Sequence, residues 1–138
     1  MSNILGLDFG TKNIGFAIGN ELTNSSSTFD SFSFRSRQEL FNKIEEIINE
    51  WAISRIILGL PLNMDGTESD MSKLTRDLQK DLLQKFKIKC DLIDERLTSY
   101  EAKEILKREG QKKTDIIKNN HGLAAKLILD SWLREDKK

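Results

Sequence analysis

The apolar positions of this chain fall into two kinds of pattern, short continuous blocks and helically spaced stripes. Ile4–Leu7 and Ile14–Ile18 are blocks separated by Gly10, Thr11, Lys12 and Asn13, which predicts a β-hairpin turning at those four residues. A polar link, Asn20–Ser26, leads to Thr28–Phe34, where Phe29, Ser31 and Ser33 alternate against Thr28, Asp30, Phe32 and Phe34. That alternation predicts a third strand near a sheet edge. Ser36 and Glu39 read as a capping box, and Leu40, Ile44, Ile47, Ile48 and Trp51 as the stripe of the helix it starts. Arg55–Leu60 is short, β-branched and continuously apolar, the pattern of a strand buried on both faces of a parallel sheet. After the loop Pro61–Asp70, Met71, Leu74, Leu78 and Leu82 mark a second helix, and Lys87–Glu95 predicts a fifth strand. Thr98 with Glu101 caps a third helix carrying Ile105 and Leu106, and a partly basic connection follows over 109–120. A last helix is expected from His121 to Glu135, offering Leu123, Ala124, Leu127, Ile128 and Trp132 to the core.

Three strands followed by alternating helices and strands form a mixed five-stranded α/β sheet. Right-handed crossovers make the first, fourth and fifth strands parallel, so their carboxyl ends share the edge where such sheets bind ligands. With 138 residues and no internal repeat, residues 1–138 are expected to form one domain. The 22 Lys and Arg balance 22 Asp and Glu, so any contact with nucleic acid must rest on a local patch. Cys90 stands alone, which excludes a disulfide framework and a thiolate cage and leaves it as a small core residue. No leader pattern or apolar run of spanning length occurs, so a cytoplasmic protein with no membrane partner is expected.

Candidate chemistry lies at the carboxyl edge. Asp8 ends the first strand, and a carboxylate at a hairpin mouth must be hydrogen-bonded, paired or bound to a cation. From the hairpin alone, Asp8 accepts turn N–H groups, holds a metal, or helps cradle a phosphate. The fifth strand ends at Asp94 and Glu95, so acids from separate strands converge on one edge. Hard divalent cations are held by one or two carboxylates together with substrate phosphates, the arrangement of metal-assisted phosphodiester cleavage. The plainer alternative makes Asp94 a helix cap and pairs Glu95 with Arg96 or a lysine.

Four stretches, GLDFGTKNIGFAIG, ILGLPLNMDGTES, DERLTS and GLAAKLILDSWL, resemble in order and spacing the bacterial YqgF/RuvX-type family of pre-16S rRNA nucleases and Holliday-junction-resolvase-like proteins. The likeness covers nearly the whole chain. It implies a ribonuclease-H-like fold with strand order 3-2-1-4-5, Mg²⁺ or Mn²⁺ as cofactor, and a structured nucleic acid as partner. The first acid of the family falls on Asp8, and that of its DERLT motif on Glu95, with Arg96 and Thr98 matching as substrate contacts.

The chain departs from the family where a third acid would stand, for His121 occupies that place. An imidazole there can ligate a metal, with Mn²⁺ favoured, or shuttle a proton; otherwise it only begins the last helix, and Asp115 and Asn120 become the fallback ligands. Asn13 replaces a usual arginine beside Lys12, and Ser99 a usual threonine. Lys12, Asn63, Thr67, Lys112 and Lys113 are further candidates for phosphate contact, although Asp65-Gly66 is also an ordinary turn and the Lys107–Lys113 run an ordinary solvated surface. An Asp-x-Gly-Thr hairpin also begins actin-like ATPases, but those need a second such domain and a second phosphate loop. The expected protein is a metal-dependent nuclease, monomeric or weakly dimeric, acting on pre-rRNA or branched DNA. The alternative is a catalytically decayed binder of the same fold.

Overall fold

The computed structural model describes residues 3–95 and 121–134. β1 (Asn3–Phe9) and β2 (Asn13–Asn20) form the expected hairpin, closed by the Gly10 N–H donating to the Asn13 carbonyl at 2.8 Å. β3 (Ser25–Ser33) pairs antiparallel with β2 and starts earlier than its apolar alternation suggested. Its first residues hydrogen-bond along β2 despite being serines, and the link shrinks to a turn in which the Asn20 side chain accepts from the N–H groups of Leu22 and Thr23. α1 (Arg37–Trp51) leads to β4 (Ile53–Leu60), and α2 (Asp70–Phe86) leads to β5 (Lys89–Asp94). β4 lies parallel to both β1 and β5, and the sheet order is β3-β2-β1-β4-β5, as expected. α3 (His121–Arg134) is the last described element. Among the described residues, no helix is long and apolar enough to cross a membrane.

Strand alternation sends successive side chains to opposite faces and so creates two cores. Leu5, Leu7, Ile14, Ile18, Ile56 and Leu58 pack under α1 and α2, against Leu40, Ile44, Ile47, Leu78 and Leu82. On the other face Ile4, Ala17, Ile57 and Ile93 meet Ala125, Ile128, Leu129, Trp132 and Leu133 of α3. β4 contributes to both, as its continuous apolar run predicted. Cys90 is buried in the first core, where desolvation, reinforced by Asp91, pushes its thiol up to about 12.

Three local expectations are corrected. The Ser36 side chain does accept from the Glu39 N–H at 3.2 Å, but Glu39 returns its bond to the N–H of Arg35, one residue before the cap. On α2, Leu74 faces solvent, and Ser72 and Thr75 are buried beside Leu78 and Leu82. The first turn is set by a reciprocal cap between Ser69 and Ser72, which turns Ser72 inward, while the Thr75 hydroxyl donates to the Met71 carbonyl at 2.8 Å. Both hydroxyls are satisfied, so their burial costs little. On α3, Leu123, Ala124 and Leu127 are only partly covered, and Gly122, Ala125, Leu129 and Leu133 turn to the sheet with Ile128 and Trp132.

The reason for that last rotation lies in the sheet. A Cβ on Gly15 of β2 would stand 1.8 Å from the carbonyl oxygen of His121, and one on Gly59 of β4 would stand 2.4 Å from the Ile128 side chain. The sheet is therefore shaved at these positions, which lets the His121–Ala125 end of α3 come close to the sheet backbone. Because the obstruction at Gly15 is backbone, it cannot swing away. Gly15→Ala is expected to cost about 3 kcal/mol, or about 10 °C in Tm, measurable by thermal unfolding. An alanine variant as stable as the parent would refute the close seating.

Candidate active site

Asp8 sits on β1 opposite Gly15 of β2, and alternation turns its side chain to the α3 face. The absence of a side chain on Gly15 lets the first residue of α3 settle next to it. His121 Nδ1 lies 2.8 Å from Asp8 Oδ2. Glu95 follows β5, whose last residue, Asp94, is in register with Leu60 of β4. A Cβ on Gly59 would lie 3.5 Å from the Glu95 carboxyl carbon, so Glu95 lies against bare backbone on the α3 face. Its carboxyl group shares a hydrogen bond with Asp8. Asp8, Glu95 and His121, expected together at the carboxyl edge, are thus brought together, with Asp8 in the middle. Asp94 falls on the opposite face by alternation and acts on Glu95 only through its negative field.

The electrostatics follow from that crowding. Desolvation first, then the charge and hydrogen bond of Asp8 and the charge of Asp94, push the Glu95 carboxyl up to about 9. A proton therefore bridges two carboxyl groups that would otherwise repel. His121 is raised above its ordinary value, chiefly by its hydrogen bond to Asp8 and partly offset by burial. The Asp8 side chain is 13% exposed and that of His121 34%, so the triad is covered yet reachable from solvent. Among the described residues, no three His, Cys, Asp or Glu side chains stand as a ready-made metal cage. The donors of this triad are two carboxyl groups and one imidazole, a set suited to a divalent cation.

The other expected contacts are placed differently. Lys12 is exposed at the hairpin turn, on the rim of a cleft beside the start of α1. Asn63 and Thr67 lie in the loop leaving the carboxyl end of β4, but they brace one another. The Asn63 amide donates to the Thr67 hydroxyl at 3.0 Å and to the Glu68 carbonyl at 3.1 Å, while the Thr67 hydroxyl donates to Asp65 at 2.6 Å. Glu68 then takes both Nε and a terminal nitrogen of Arg76, at 2.8 and 2.9 Å, tying the loop to α2. Arg96, Thr98, Lys112, Lys113, Asp115 and Asn120 lie outside the described residues, as does the helix expected after Thr98. Sequence reasoning passed over Gly15 and Gly59 as site residues. The available signal was a glycine at a core-facing position of each strand flanking the acid.

A five-stranded mixed sheet in this order, with acids converging at the carboxyl edge under α3, defines the ribonuclease-H-like fold. The RuvC resolvase of T. thermophilus, solved with a Holliday junction substrate, superposes with a TM-score of 0.51 over 100% of this chain and 83% of its own, at 11% identity. The sequence profile described as "RuvX: Holliday junction resolvase" matches residues 2–135, and this chain belongs to that family. A relative from Saccharophagus degradans is 36% identical over 132 residues, covering 96% of this chain and 93% of its own length. One from Pseudomonas savastanoi is 40% identical over 135 residues, covering 96% and 91%. Both carry the name "Putative pre-16S rRNA nuclease".

The shifted groups set a pH dependence. Between its ordinary value of 4.5 and about 9, folded Glu95 keeps a proton that the unfolded chain releases, so its contribution to stability falls as pH rises through that window. The His121–Asp8 pair acts in the same direction: its contribution is complete below 6.5 and is lost as pH rises through the raised value of the folded state. With chelator present, Glu95→Gln should flatten the decline of Tm between pH 5 and 9 and raise Tm at the alkaline end by roughly 3 °C or more. Parallel profiles for variant and parent would remove the shared proton.

Proposed function

We propose that residues 1–138 form a single-domain, divalent-metal-dependent endonuclease that hydrolyses phosphodiester bonds in a structured nucleic acid in the cytoplasm. Its substrate is the 5′ region of pre-16S rRNA. The observation that carries this reading is the convergence of Asp8, Glu95 and His121 at one sheet edge in a chain of this family. The relatives' name supports RNA as the substrate, and the family description supports branched DNA as the second reading.

The carboxylates of Asp8 and Glu95 would hold Mg²⁺ or Mn²⁺, with His121 as third donor. Such a cation supplies a Lewis acid that orients water and stabilises the leaving oxygen. The protein's part is to arrange the donors. Glu95 must give up the proton it shares with Asp8, and the nearby positive phosphate contacts must offset the substrate's own charge. The bond from Asp8 fixes the His121 ring at Nδ1, so Nε2 is the nitrogen free to ligate or to carry a proton. One imidazole in place of a carboxylate removes a negative charge from the edge, which favours Mn²⁺ over Mg²⁺. Lys12, Arg96, Thr98, Lys112 and Lys113 are assigned to the phosphates. Asn63 and Thr67 shape the loop beside the cut and reach substrate only by exchanging their mutual bonds. The protein acts as a monomer or weak dimer.

Cleavage of a pre-16S rRNA fragment and of a four-way DNA junction, each in Mn²⁺ and in Mg²⁺, tests the reading and ranks the substrates. Asp8→Asn should reduce cleavage by more than about 100-fold while leaving the fold intact. His121→Asp should improve the Mg²⁺ reaction, and His121→Ala should depress both. A wild-type protein that binds but never cuts would make it a catalytically decayed binder.

Neutralising Lys112 and Lys113 together should flatten the log–log salt dependence of binding by about one to two. An unchanged slope would return that run to solvated surface.

A further inference from the structure

A cleft among the described residues lies on the sheet face opposite the triad, and apart from Lys12 its lining has no part in the chemistry described above. It encloses ≈ 820 Å³ between the hairpin turn and the start of α1, with Phe9, Phe34 and Leu40 at its floor and Lys12 and Arg35 on its rim. The Phe9 and Phe34 rings lie 6.3 Å apart and within 8° of parallel. Phe34 is fixed to the hairpin, because its N–H donates to the Lys12 carbonyl at 2.9 Å, and the adjacent Ser33 hydroxyl donates to the Asn13 side chain at 2.5 Å. The rim cations differ in their availability. Arg37 is committed to Asp81 and to the face of Phe41, whereas among the described residues neither Arg35 nor Lys12 makes an ion pair through its side chain.

A rigid aromatic floor under unpaired cations is the combination that holds single-stranded nucleic acid, with bases stacking on rings and phosphates meeting the rim. Phe9 follows Asp8 directly on β1, so the cleft and the triad share one strand end from opposite faces. We infer that this cleft binds the single-stranded nucleotides flanking the cut, with a base on the Phe34 ring and phosphates at Lys12 and Arg35. The inference rests on the nuclease reading and adds a second anchoring site to it. It gives the enzyme a preference for substrates in which a single strand leaves the cleaved region.

Anisotropy of a short, labelled single-stranded RNA with the non-cutting Asp8→Asn protein tests the site, and cleavage by the wild type is measured separately. Phe34→Leu, which keeps apolar bulk without an aromatic face, should raise Kd about fivefold or more without changing the salt slope. Arg35→Gln, at an exposed position, should reduce that slope by about 0.7. Both variants binding with the parent's Kd and slope overturns the cleft, even where the wild type cuts. Binding that depends on Phe34 and Arg35 supports it, even where the wild type cuts nothing and the nuclease reading fails.

Discussion

The seating of α3 on the sheet is the constraint on which the rest depends. Burial of Ile128, Leu129, Trp132 and Leu133 against Ile4, Ala17, Ile57 and Ile93 drives the helix down, and the missing side chains at Gly15 and Gly59 decide how far it goes. A helix held away by one methyl layer would keep its hydrophobic contacts in part but lose the contact between His121 and Asp8. The site is therefore a product of packing on one face. The second core, under α1 and α2, keeps β1, β4 and β5 parallel so that their ends coincide.

Within the site, charge is controlled by protons. Glu95 is placed where a lone carboxylate would be costly, and it answers by staying protonated against Asp8. His121 supplies a second donor to the same carboxylate. Asp8 is thus stabilised from two sides, and a cation arriving at the edge competes with those hydrogens for it.

Much of this was legible in the sequence. The hairpin, the doubly buried β4 and the strand order followed from apolar blocks, turn residues and family motifs, since those signals reflect burial directly. Asp8 and the Asp94–Glu95 pair were legible because strand ends place them at one edge, whereas His121, and Glu95 over Asp94, were indicated by the resemblance to the family's motifs. What failed were orientations of helices about their own axes. Leu74 and Leu127 were counted inward for being apolar, yet capping by Ser69 and Ser72 turned α2, and the glycine-lined floor turned α3. Those choices depend on a partner surface or a reciprocal hydrogen bond, neither of which a stripe of leucines records. The internal bracing of Asn63 by Thr67 was hidden for a similar reason: a loop's polar groups can face a ligand or one another with the same sequence.

The His121–Asp8 contact joins residues 113 apart in the chain, and the Ser26–Asp130 hydrogen bond joins residues 104 apart. Both fasten the last described helix to the first strands. Local pairing can complete the meander early, but its α3 face stays open until α3 packs on it. During synthesis, the candidate edge is therefore completed only after α3 has emerged. A nascent or truncated chain lacking that helix carries the acids of β1 and β5 without the covering that confines their charge. The order of translation itself withholds the site from an incomplete molecule.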